Sequence, residues 1–165
     1  MKKLAIPLIV FVALIGGGVA ASIWKKGQAA SNVPYPPRGA QFLDPSTSPD
    51  VLMALGNSRK KNKPDPLAEY QGLWIGEPGW EGTVQIVADE AAGPTLRWEQ
   101  SASGMFGASS YWMIVVLKDS DSRVKVGSKV RVMGMFEDAN SISSVNSPLP
   151  QYRVILKNAK VLEIK

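Results

Sequence analysis

Hydrophobic and polar positions change their period twice along the chain. Residues 4–24 form an apolar run without charge, bracketed by Lys2 and Lys3 before it and by Lys25 and Lys26 after it. From 27 to 66 no period holds. "NVPYPPRGA", "DPSTSPD" and "KNKPDP" are rich in Pro, Ser, Asn and Asp, and Pro removes donors and restricts its predecessor. From 67 to 165 the period becomes two. "GTVQIVA" (82–88), "TLRWEQ" (95–100), "YWMIVVLK" (111–118), "SKVRVMGMFE" (128–137) and "QYRVILKNAKVLEI" (151–164) alternate, and β-branched and aromatic residues dominate them.

The elements follow from these periods. A run of about 20 apolar residues is long enough to cross the hydrocarbon core as a helix, and Trp24 with two Lys suits an interface. Residues 1–26 are therefore expected to be an uncleaved transmembrane anchor. The alternative is a signal peptide with an apolar core from Leu4 to Ile15, cut before Ser22. Residues 27–66 read as a linker with one short helix. Ser48 is its cap, Pro49 and Asp50 open it, "VLMAL" gives an apolar face and Gly56 stops it.

Residues 67–165 read as a mainly β domain. Five short strands point to a small closed barrel, since a sandwich usually needs seven or more. Val84, Ile86, Val130, Val132 and Val154 are expected inside. "YWMIVVLK" is apolar on both faces, so it is central or covered. Gly134 falls in the inward series of its strand, where it relieves crowding and permits a bend. Met133 and Met135 fall on the opposite face, which implies a covering segment or a protein partner.

Gly82 and Val84, "VVLKD" at 115–119, "VKVGSKVRVMGMF" at 124–136 and "YRVILKNAKVLEI" at 152–164 carry a resemblance. Their order is similar to the OB-fold, in particular its anticodon-binding-like nucleic-acid type, over roughly residues 80–165. The resemblance implies an OB-like five-stranded barrel with a face for single-stranded nucleic acid or glycan. "DSDSRVKVGS" leaves no room for the helix usual between the third and fourth strands. An anchor followed by an exported barrel is also similar in layout to the haem chaperones of cytochrome c maturation. Those use a His after the barrel, and this chain has none.

Charge and chemistry narrow the function. The net charge is +5, but residues 1–66 hold nine Lys/Arg and three Asp/Glu, leaving ten and eleven for 67–165. The domain is thus near neutral and lacks the broad positive field of nonspecific nucleic-acid binders. Without Cys or His there is no disulfide, thiol or imidazole chemistry. No nucleophile–base pair, phosphate loop or metal set stands out, so no enzyme, no cofactor and no metal are expected. "DSDS" at 119–122 reads as a polar turn, and Arg59, Lys60, Lys61 and Lys63 read as a solvated tail.

The aromatic residues Trp74, Trp80, Trp98, Tyr111 and Trp112 are dense for this length. They either fill a small core or stack bases or sugars. If they bind, the candidate residues are Arg97, Trp98, Tyr111, Trp112, Lys118 and Arg131. The leading expectation is a non-catalytic binding module, held in the membrane by residues 4–24. Its domain lies in the periplasm or cell exterior and meets a protein partner of an envelope assembly. A nucleic-acid or glycan binder is the alternative.

Overall fold

A computed structural model describes residues 35–102, 110–144 and 147–165. The apolar segment 4–24 lies outside the described residues. No helix among the described residues is long and apolar enough to cross a membrane. The chain divides into two units, Met1–Gly39 and Ala40–Lys165, and the second carries every element that follows.

That unit begins within the Pro-rich stretch. Helix α1 spans Pro49–Asn57. The Ser48 hydroxyl accepts from the Val51 N–H, and Asp50 stands in the first turn, where the helix dipole favours a negative charge. Leu52 and Met53 are buried, so the helix adds its apolar face to the core. Gly56 does not end the helix. It lies inside, where a Cβ would come 2.1 Å from the Ala139 carbonyl oxygen, so it permits contact between helix and sheet. Ser58 closes the last turn by donating its N–H to Ala54 and Leu55 carbonyls.

Six strands follow: β1 (Trp80–Thr83), β2 (Ile86–Glu90), β3 (Gly93–Ser101), β4 (Ser110–Leu117), β5 (Lys129–Ser144) and β6 (Ser147–Ile164). They form one sheet in the order β1-β5-β6-β4-β3-β2. All neighbours are antiparallel except β4 and β6, which run parallel. The sheet is a curled half-barrel. Its two end strands, β1 and β2, are separated in sequence by Val84 and Gln85 alone. Those two residues bridge opposite ends: Val84 N–H donates to Ser128 before β5, and Gln85 N–H donates to Arg97 in β3.

The expected five-stranded closed barrel is corrected here to six strands. "GTVQIVA" does not run as one strand, because it breaks where the chain passes from pairing with β5 to pairing with β3. The break changes which side chains face inward. Val84, Val130, Val132 and Val154 are buried as the alternation predicts, but Ile86, beyond the break, is 40% exposed. Gly82 on β1 lies directly against β3. A Cβ there would meet the Trp98 indole of β3 at 2.1 Å.

The core lies between the inner face of the sheet and α1, with Trp98, Tyr111, Phe136, Leu156 and Leu52 among its largest side chains. Gly134 faces β6 where the β5–β6 register shifts. A Cβ at that position would come 2.9 Å from the Ala159 Cβ. Met133 is buried and Met135 half-buried. Along this edge of β5, Ile75 N–H donates to the Gly134 carbonyl, Phe136 N–H to Leu73, and Gly72 N–H to Phe136. Residues 72–75 thus continue the sheet beside β5 where β1 ends, and Trp74 in turn bridges Phe42.

Candidate functional site

The outer face of β3, β4 and β6 carries a groove. Register places Ile86, Arg97, Ile114 and Ile155 in one row across β2, β3, β4 and β6. The adjacent row is Glu99, Trp112, Arg153 and Asn140. Residues directly opposite one another share a face, so these rows are continuous surface. Between them lies a groove of 210 Å³ lined by Ile86, Arg97, Trp112 and Ile114, with Arg153, Ile142, Gln151 and Tyr152 completing it. Ile86 and Ile142 are the most exposed of its apolar residues, at 40% and 37%.

Its charges are arranged by neighbours. Arg97 ion-pairs with Glu90, while its buried Nε has no hydrogen-bond partner among the described residues. Glu99 accepts from the Ser110 hydroxyl, and its N–H donates to Gln85 Oε1 at 3.2 Å. Arg153 Nε donates to Asn140 Oδ1 at 2.6 Å, and Asn140 Nδ2 donates to Asp138 Oδ2 at 2.5 Å. Asp138 Oδ1 accepts from Arg59 at 2.7 Å, and Arg59 also holds Asp65 at 2.7 Å. Burial pushes the Asp138 carboxyl up, but hydrogen bonds from Arg59 and Asn140 outweigh it and hold the group below its ordinary value. Arg59, expected in a solvated tail, is thus folded against β5, where it also donates to the Ala139 carbonyl.

Of the six residues singled out from the sequence, Arg97 and Trp112 line the groove. Trp98 and Tyr111 are 1% and 2% exposed and belong to the core. The reason is the pleat: neighbours in a strand point to opposite faces, so Arg97 and Trp98 cannot share a surface, nor can Tyr111 and Trp112. Lys118 follows β4, exposed, its N–H bonded to Ala159. Arg131 stands elsewhere, on β5 beside β1, with Glu81 at 2.5 Å and Glu163 at 3.2 Å. There Lys165 also reaches Glu81 at 3.2 Å, and these two cations draw the Glu81 carboxyl down to about 2.

Ile86, Ile114, Ile142 and Arg153 were missed. One signal was available: "YWMIVVLK" is apolar on both faces, and the outer set, Trp112 and Ile114, now lines the groove. Arg153 carried no signal, since its role depends on Asn140 across the β5–β6 pair. No group of three His, Cys, Asp or Glu able to hold a metal occurs among the described residues.

Fold and site together define a half-barrel β module with a groove of mixed apolar and basic side chains on its outer face. No family model, curated protein or solved structure matches the chain.

Proposed function

We propose that the chain is a membrane-tethered, non-catalytic binding module with an OB-type barrel, serving an envelope assembly through protein contacts. The observation that carries this reading is the outer groove, where Ile86, Ile114, Ile142 and Trp112 alternate with Arg97 and Arg153 across the strands. Exposed apolar surface rimmed by polar groups suits a protein partner.

Connectivity supports the OB-type reading. Taking β1 and β2 as halves of one bent strand leaves five strands, and β3 and β4 become the second and third. In OB-folds that face carries the ligand, and the groove lies on it. The nucleic-acid or glycan alternative loses Trp98 and Tyr111 as stacking platforms, because both are in the core. The tether rests on the apolar run 4–24, and export follows from the same run.

A photo-crosslinking amino acid at Ile142 of the full-length protein in its native membrane tests the reading. The expected result is a protease-sensitive adduct, absent when the same group replaces Val126, which is 67% exposed and does not line the groove. An adduct removed by nuclease or glycosidase, or no adduct from Ile142, overturns it.

A further inference from the structure

We infer that the groove takes an extended segment of a partner protein in which an acidic side chain stands beside apolar ones, with the carboxylate on Arg153. This inference rests on the protein-contact reading and specifies its chemistry.

Arg153 is the cation of this face that no carboxylate neutralises among the described residues. Arg97 has Glu90, and Arg59 has both Asp65 and Asp138. Arg153 instead donates its Nε to a neutral amide oxygen, that of Asn140. The amide is oriented by its own bond to Asp138, which Arg59 holds on the other oxygen. The chain Arg59–Asp138–Asn140 therefore fixes the Nε edge of Arg153 and leaves its charge for an incoming anion. Arg153 is half-buried as a residue, and Trp112 is its register partner on β4. A charge-assisted hydrogen bond is strong in such a setting.

The remaining lining decides what kind of anion fits. Ile86, Ile114, Ile142 and the Trp112 indole ask for aliphatic or aromatic side chains beside the carboxylate. Glu90 and Glu99 stand on β2 and β3 near the same rows. They repel a polyanion such as a nucleic-acid backbone, whereas a single carboxylate engages Arg153 across the Trp112 row from Glu99.

The test uses full-length protein in detergent and a displayed library of random heptapeptides. Selected peptides are expected to carry Asp or Glu next to aliphatic or aromatic residues. Synthetic copies should lose about tenfold or more in affinity when that acid becomes its amide, as loss of one charge-assisted hydrogen bond implies. Arg153→Gln should cause a comparable loss with an unchanged denaturation midpoint, while Lys125→Gln, at an exposed turn, should cause none. Selection of purely apolar peptides weakened by Trp112→Ala but not by Arg153→Gln overturns the acidic preference and leaves the protein-contact reading standing. Failure to select any peptide also overturns the inference. If a single-stranded oligonucleotide then quenches tryptophan fluorescence saturably, the protein-contact reading falls as well.

Discussion

The Tyr111 hydroxyl donates to Asp50 Oδ1 at 2.7 Å, joining the first turn of α1 to the inner face of β4. This bond crosses 61 residues of sequence and anchors the helix that supplies Leu52 and Met53 to the core. Burial and the neighbouring carboxylate both push the Tyr111 phenol above its ordinary 10.0.

Tyr111→Phe should therefore destabilise the protein by about 1–3 kcal/mol, since a partly buried carboxylate loses its donor. The pH dependence has a definite sign. Below about pH 10 neither state ionises the phenol and the stabilisation is complete. Above it the unfolded chain releases the proton while the folded one retains it, so stability falls as pH rises. Urea unfolding at pH 8 and pH 11 should show a larger loss in the parent than in Tyr111→Phe. Equal losses would remove Tyr111 as the cause.

Gly134→Ala places a methyl group 2.9 Å from the Ala159 Cβ and 3.3 Å from the Lys157 carbonyl oxygen. Overpacking of this kind costs about 1–3 kcal/mol. Removing the opposing methyl in Gly134→Ala/Ala159→Gly should recover part of it. The double variant is expected to be more stable than the sum of the single losses, measured as a coupling in a double-mutant cycle. Additive losses would mean that the Lys157 backbone sets the limit.

Glu81 collects Arg131 and Lys165 at the pole where β1 meets β5, and its carboxyl is held near 2, below the ordinary 4.5. Its contribution is present above about pH 4.5 and is lost as pH falls toward 2. Glu81→Gln should flatten the acid limb of a thermal-stability profile over that window. The difference from the parent should shrink at high salt, because these groups are exposed to solvent screening. An unchanged acid limb would show that the cluster contributes nothing.

The apolar run 4–24 is expected to stay attached. N-terminal sequencing of the mature protein decides this directly. A start before residue 4 supports the anchor, and a start at Ser22 identifies a cleaved signal.

Much of the fold was legible because alternation is a local signal. Val130, Val132 and Val154 point inward as their strands predict, and Ser48-Pro49-Asp50 announced the helix start. What escaped depended on distant partners. Whether Ile86 faces in or out is decided by the switch of partner at Val84–Gln85, not by its own neighbours. Trp98 and Tyr111 drew attention as a cluster with Arg97 and Trp112 because they are adjacent in sequence, yet adjacency in a strand means opposite faces. Two of the three candidate aromatic residues were therefore core. Arg153 acquires its role through Asn140, Asp138 and Arg59, a relay that spans from before β1 to β6 and leaves no trace in any short window.

The Val84–Gln85 junction also bears on self-association. An open sheet of six strands has two free flanks, each a row of unpaired amides on which another chain can build. Here both flanking strands belong to one short stretch of chain, curled so that Gly82 lies against Trp98. Spreading the junction would pull Gly82 away from the indole and turn both flanks outward together. Two residues thus hold both flanks of the sheet close together, which leaves less free edge for a second copy to build on.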